Sequence, residues 1–329
     1  MGETLIDLDY KHRRNNWATP NKELMKKIFN TVLSVLLLLT AIQNANAQLN
    51  QMGAAYFQNQ FQTNPAMAGL EKGLNLNMGY LQQWSNVPGN PTVQTITADY
   101  SITEKAALGL NFYNDRSGIF SRTRTVASYA YHLPLNSEEQ KLSFGLSLGF
   151  MSERVNTEDI RGNVNDPNVA AFNQRETYMD GDFGLAYTNR KLNVQAAIPN
   201  MKSFLNKDVN GNTVDRSTFF SAISYKFDLE GEGGFGLEPK LAYRGVKGLD
   251  NIMDAGLNLT YANNKINVFG MYHSTKSSTF GVGLNYQNLG FGGMYSTANS
   301  ILSNYSNGNF ELSLKMILFK KNIAQSDAD

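Results

Sequence analysis

From Lys72 onward the apolar residues of this chain recur at every second position and almost never at a spacing of 3.6. A period of two places alternate side chains on opposite faces of a strand, which leaves little room for helices. Between Lys141 and Phe150, Leu142, Phe144, Leu146, Leu148 and Phe150 share one face, while Ser143, Gly145, Ser147 and Gly149 share the other. The same division separates Phe235, Leu237, Leu241 and Tyr243 from Glu238, Lys240 and Arg244, and Phe310, Leu312, Leu314, Met316 and Leu318 from Glu311, Ser313 and Lys315. A soluble sandwich also alternates, but its apolar faces meet in a core of Val, Ile and Leu and its polar faces meet bulk water. Here the second face carries glycine, serine, asparagine and charges of both signs. That composition suits the lumen of a transmembrane barrel whose oily stripe faces lipid and whose closure leaves no backbone donor unpaired.

Runs of this kind begin near residues 72, 91, 105, 120, 141, 178, 191, 218, 234, 252, 265, 277, 289 and 308. They define an all-β fold, an antiparallel up-and-down transmembrane β-barrel of about 14 strands, each about ten residues long, as tilted barrel strands require. Thr103-Glu104, Asn189-Arg190, Asn263-Asn264 and Gln287-Asn288 form tight turns at one parity, and the long connections Glu153 to Thr177, Asn200 to Ser217 and Ala298 to Asn307 fall at the other. Outer-membrane barrels alternate short periplasmic turns with long outer loops in this way. Charged residues are only 17% of the chain, aromatics reach 11% and glycine numbers 28, against roughly 25% charged in ordinary soluble proteins. With no cysteine, disulfides, thiol nucleophiles and zinc fingers are excluded.

The segment FNTVLSVLLLLTA follows Lys26-Lys27 and precedes Ala45-Asn46-Ala47. Positive, apolar and small-x-small is the order of a secretory signal, so cleavage is expected between Ala47 and Gln48. The apolar run falls short of the roughly 20 residues a membrane-spanning helix needs. Residues 1 to 24 precede Met25, itself a natural start, and read as an overextended gene start ahead of the signal rather than as a functional extension. The expected organisation is a signal over 1–47, an N-terminal periplasmic lid or plug over 48–71, the barrel over 72–319 and a polar periplasmic tail over 320–329. Of 29 basic and 28 acidic residues, six and four precede Gln48, leaving 23 and 24 in an almost neutral exported protein. No basic run remains to track a phosphate backbone, so nucleic acid is not an expected partner.

The stretch from Gln51 to Gly73 is not strand-like and holds Asn64-Pro65-Ala66 and Gly69. Together with Gln83-Trp84, Pro91, Asp99, Asp115-Arg116-Ser117-Gly118, Tyr129-Ala130-Tyr131-His132-Leu133 and Leu142-Ser143-Phe144-Gly145, it resembles the PorP/SprF family of the Bacteroidetes. The resemblance runs over essentially the whole mature chain, and one departure is Gln82, where relatives often carry arginine. It implies an outer-membrane accessory of type IX secretion that assists export or surface display of a passenger such as an adhesin, linked in some relatives to gliding motility. Partners so implied are secretion components, the passenger and outer-membrane lipid. The alternative from the fold is a channel or small-ligand transporter.

Several residues are singled out. Pro65 restricts Asn64, and Gly69 permits a strained backbone, so Asn64, Pro65, Ala66 and Gly69 form a turn that either seals the barrel or docks a partner. Trp84 closes the first strand and is expected in an interfacial aromatic belt. Asp99, Arg122, Arg124, Asp182, Glu238, Lys240, Arg244, Glu311 and Lys315 share the expected lumen face, where opposite charges pair and fill a narrow barrel. Catalysis is not expected: the mature chain holds only His132 and His273, and Ser274 points away from His273 across the strand. Asp208, Asn210, Asn212 and Asp215 offer oxygen ligands, but position twelve of that loop is Phe219 rather than glutamate, so a tight turn at Asn210-Gly211 is preferred over calcium. The glycine pairs Gly233-Gly234 and Gly292-Gly293 precede no helix and cradle no phosphate. No cofactor or metal is expected.

Overall fold

The computed structural model describes residues 52–319 apart from 87–88, 137–138, 158–159, 161–166, 174–176, 203–216, 230–233, 247–250 and 299–306. The cleavage site Ala47/Gln48, the tail 320–329 and the oxygen cluster of residues 208–215 lie outside these residues.

Alternation becomes architecture through fifteen antiparallel strands in chain order: β1 (Leu74–Gln83), β2 (Thr92–Ser101), β3 (Ala106–Ser117), β4 (Phe120–Pro134), β5 (Lys141–Val155), β6 (Tyr178–Thr188), β7 (Leu192–Ile198), β8 (Ser217–Tyr225), β9 (Phe227–Asp228), β10 (Gly236–Val246), β11 (Ile252–Tyr261), β12 (Ile266–His273), β13 (Ser277–Tyr286), β14 (Leu289–Ser296) and β15 (Asn309–Leu318). Each of fourteen strands pairs with its neighbours, and β1 pairs with β15 from Leu74↔Leu318 to Gln83↔Asn309, closing the barrel. The short β9 is extra. It continues β8 past a break at Lys226 and pairs with Gly236 and Leu237 of β10. The break falls opposite Glu238 and Pro239, between the β8 and β9 pairings, where proline has no N–H to give a ladder.

All fourteen expected starts fall within two residues of a barrel strand. The connections alternate as well: the turns after β2, β6, β11 and β13 are tight, and the long connections leave the other end. By the outer-membrane rule the first is the periplasmic end and the second the outer end. One departure is a seven-residue helix, α1 (Pro167–Asn173), inside the long outer connection after β5. Its Asn173 side chain accepts from Val155 N at 2.7 Å and donates to Val155 O at 2.9 Å, satisfying backbone groups at the end of β5.

The outward face is apolar over the barrel wall, with Leu108, Leu110, Leu146, Leu148, Phe150, Val282 and Leu312 exposed. Tyrosines mark both rims. Tyr100, Tyr131, Tyr225, Tyr261 and Tyr286 lie at the periplasmic ends of their strands, and Tyr80, Tyr272 and Tyr295 lie toward the outer ends, all exposed on the outward face. Two aromatic girdles around an apolar band fit a protein seated in a bilayer. Leu148 stands midway along β5 and is 55% exposed. Leu148→Arg is therefore expected to lower stability by about 2–4 kcal/mol, the cost of a cation on the lipid face near the midplane, as read by urea unfolding in lipid vesicles. An unchanged unfolding midpoint would place this face in water.

The plug and its anchors in the lumen

The segment Met52 to Gly73 lies inside the barrel. Its backbone makes three single 3-10 turns, Gly53–Tyr56, Gln60–Gln62 and Pro65–Met67. The third is built from local chemistry: Asn64 is extended at φ −135°, the conformation preferred before proline, and its Oδ1 accepts from Ala66 N at 3.0 Å. Pro65 takes the first helical position, where no N–H is needed.

Glycines make room for this segment. A Cβ on Gly145 would lie 2.2 Å from Ala66 N and 2.3 Å from Pro65 C, and one on Gly184 would lie 2.0 Å from Asn64 Oδ1. At Gly109 it would lie 2.3 Å from the Phe61 ring. The small inner side chains of β3, β5 and β6 are thus a slot shaped to the plug rather than a smooth wall.

Polar anchors hold it along its length. Near the outer end, Tyr56 donates to Asp254 Oδ2 at 2.8 Å, and Lys240 Nζ donates to Tyr56 O. Ala54 N donates to Glu311 Oε1 at 3.2 Å. In mid-barrel, Asn59 bonds Thr97 Oγ1 at 3.0 Å, and Asn64 Nδ2 donates to Leu185 O at 3.1 Å. Toward the periplasmic end, His132 Nε2 meets Ala68 O at 2.9 Å, and Gly69 N donates to Asp99 Oδ2 at 2.8 Å. Gly69 has φ +68°, a conformation that glycine adopts at no steric cost. Glu71 pairs with Lys315. The segment therefore runs from the outer half of the lumen to the periplasmic rim, so it is a plug threaded through the barrel and not a lid across one end.

Around Tyr56 the strands build a buried cluster. Arg244 Nε meets Asp254 Oδ2 at 3.1 Å, and His273 Nδ1 meets Asp254 Oδ1 at 2.7 Å. His273 Nε2 meets Thr279 Oγ1 at 2.8 Å, and Thr279 in turn meets Ser296 Oγ at 2.7 Å. The Tyr56 ring stacks on His273 at 5.9 Å while its hydroxyl donates to Asp254. Thr279, His273 and Asp254 have the connectivity of nucleophile, base and orienting carboxylate. All three are fully buried beneath Tyr56. Through the Tyr56 hydroxyl this cluster joins the plug to β11 and, by its other bonds, links β10, β12, β13 and β14.

The other singled-out residues are placed as follows. Arg124 pairs with Asp182 at 2.6 Å, and Arg122 with Glu153 at 3.0 Å. Glu238 accepts from Ser224 at 2.7 Å. These side chains, with Asp99, Lys240, Arg244, Glu311 and Lys315, project inward. Trp84 follows β1 at φ +49°, half-buried, with an Nε1 that has no partner among the described residues. Ser274 sits in the turn after β12, where its Oγ accepts from Met253 N at 3.0 Å. The hydroxyls that meet the two histidines instead come from neighbouring strands: Ser143 stands opposite His132, and Thr279 reaches His273 diagonally across the β12–β13 hairpin, two residues on from Ser277, its register partner. Strand register, invisible in linear spacing, makes both pairs. The lumen also holds an apolar cluster of Tyr56, Phe220, Phe269, Met271 and Met294, where the sequence reading foresees only small and polar residues.

Fold and lumen together define a plugged outer-membrane β-barrel. A family model described as type IX secretion system membrane protein PorP/SprF matches residues 45–316, and the chain belongs to that family. A search of curated proteins finds no match. Among solved structures, the chain is similar to the outer membrane protein Omp33 of Acinetobacter baumannii at 8% identity, covering 76% of this chain and 99% of that one with a TM-score of 0.48. It is similar to the toluene transporter TodX of Pseudomonas putida at 9% identity, covering 84% and 94% with a TM-score of 0.41. For the KdgM porin the figures are 8% identity, 74% and 98%, and 0.36.

Proposed function

We propose that this protein is a non-enzymatic accessory of type IX secretion that assists export or surface display of a passenger protein, and that its barrel is a closed scaffold rather than a pore. The observation that carries this reading is the plug: it is anchored from Tyr56 to Glu71 and seated in slots formed by Gly109, Gly145 and Gly184. A diffusion channel needs a water-filled path, whereas a scaffold needs only a stable wall and exposed rims. The rims, carrying the outer connections and periplasmic turns, are the surfaces for secretion components and passenger. The aromatic-girdled wall meets outer-membrane lipid. The chain is exported by a signal cleaved between Ala47 and Gln48.

Two measurements test this. Purified protein in planar bilayers is expected to pass little current; steady conductance would favour the channel or transporter reading. Crosslinked pull-down from gently solubilised outer membranes is expected to recover secretion components or a large surface protein, and recovery of the barrel alone at good yield counts against the accessory role. Amino-terminal sequencing of the same preparation is expected to begin at Gln48.

A further inference from the structure

The outward face of β3, β4 and β5 changes character along its length. Through the middle of the wall it is apolar, with Leu108, Leu110 and Phe112 on β3 and Leu146, Leu148 and Phe150 on β5. Past Phe112 and Phe150 the strands run on toward the outer end, and each outward residue there is polar. The ladders align these residues in two cross-strand rows, Asn114–Thr123–Ser152 and, farther out, Arg116–Ser121–Arg154. Followed the other way around the barrel, the outer row passes Thr92 and Gln82 and reaches Phe310 and Tyr295, where aromatic residues take over.

The carboxylates of the same stretch lie on the inner face: Glu153 meets Arg122 at 3.0 Å, and Asp115 accepts from Tyr113 at 3.3 Å. Among the described residues no carboxylate shares the two outward rows, so this part of the outer face is cationic. Arg116 and Arg154 are both exposed. Arg154 Nε donates to Ser152 Oγ at 3.3 Å, which leaves its two Nη groups turned to the surroundings.

Height and spacing decide what these side chains meet. Each arginine stands four residues past the last apolar outward residue of its strand, about 10 Å farther from the bilayer centre along a tilted strand. A long arginine stem reaches back toward the interface, so both guanidinium groups come to the level of the lipid headgroups. Both arginines are register partners of Ser121, so their Cα atoms lie about 10 Å apart, two strand spacings, with one hydroxyl between them. Two guanidinium forks at that separation can close on one phosphate from either side.

We infer that Arg116, Ser121 and Arg154 form a binding site for a phosphate group of an outer-leaflet glycolipid. The row beneath offers Asn114, Thr123 and Ser152, a carboxamide and two hydroxyls that match the hydroxyls of a sugar headgroup, and the apolar band below receives the acyl chains. The inference rests on the barrel's seat and orientation in the bilayer, not on the secretion role, and Leu148→Arg tests that seat separately.

The test is native mass spectrometry of the full mature protein, in a detergent that carries no phosphate, titrated with diphosphoryl lipid A. Saturable binding is expected, at least tenfold tighter than to the same lipid stripped of its phosphates, and at least tenfold weaker in the double variant Arg116→Gln/Arg154→Gln. Heat-modified gel mobility establishes that the variant is folded; if it is not, Arg154→Gln alone is expected to weaken binding at least threefold. Lys276→Gln, in the outer turn between β12 and β13, is the control and is expected to bind like the parent. Glucose 1-phosphate, which carries the same anion on a sugar without acyl chains, is expected to bind at least tenfold less tightly than lipid A. The inference is overturned if the stripped lipid binds as well as the phosphorylated one, or if the folded arginine variant binds like the parent. It is equally overturned if Lys276→Gln weakens binding as much as the arginine change, or if glucose 1-phosphate binds as tightly as lipid A.

Discussion

Gly145→Val is expected to expel the middle of the plug and turn a quiet barrel into a conducting one. The argument is steric: a Cβ at this position would lie 2.2, 2.3 and 2.7 Å from Ala66 N, Pro65 C and Ala66 Cα, all of them plug backbone. Backbone cannot rotate aside as a long side chain can, and β5 is held by ladders to β4 and β6. The plug is the partner that yields. Loss of its seat there also breaks the bonds from Asn64 to Leu185 O and Gln195 Oε1. In planar bilayers the variant should show a large rise in conductance, and the plug should become open to protease. Gly293→Val is the control, since a Cβ there meets nothing within 4 Å and the residue faces outward. Heat-modified gel mobility establishes that both variants are folded. A folded Gly145→Val barrel with parental conductance and protease resistance would show that the slot does not hold the plug.

Asp254→Ala should be the most destabilising single change inside the lumen. Its carboxylate receives Arg244, His273 and Tyr56 at 3.1, 2.7 and 2.8 Å. Removing it takes from buried Arg244 the carboxylate it meets at 3.1 Å, a loss of about 3–5 kcal/mol for buried pairs broken on one side. Tyr56→Phe removes the hydroxyl's bond to Asp254 at 2.8 Å and its longer contacts to Arg244 and His273, both at 3.4 Å, of which the short bond to the carboxylate is the main loss at about 1.5–3 kcal/mol, and it leaves the Arg244–Asp254 pair in place. Urea unfolding should therefore show a marked fall for Asp254→Ala and a smaller one for Tyr56→Phe. If the two variants unfold alike, the cluster serves the plug alone and contributes nothing to the wall.

The barrel was legible because lipid imposes a rule on every strand. A residue on the outward face of β5 or β13 must be apolar and its neighbours need not be, so alternation survives in each segment and fixes both strand starts and end-to-end parity. The plug was legible only as a stretch without alternation and with one Asn-Pro-Ala turn. Its depth and direction depend on Tyr56 meeting Asp254 and Gly69 meeting Asp99, contacts 198 and 30 residues apart. Linear spacing carries no trace of such pairs. The same holds for Thr279 beside His273, which becomes visible only once β12 and β13 have a register. Phe220 and Phe269 were hidden for another reason: an inward phenylalanine looks misplaced in a polar lumen until the plug brings Tyr56 and Ala54 to meet it.

The seam between β1 and β15 carries a further implication. It joins the strand that follows the plug to the last strand of the chain, through ten residue pairs. A hoop sealed at that seam would leave Phe61 and Tyr56, both buried, to be pushed through a finished cylinder. Wrapping the wall around a segment already laid inside avoids that passage. In that order of assembly, Gly109, Gly145 and Gly184 are the room the wall keeps for the segment it closes around.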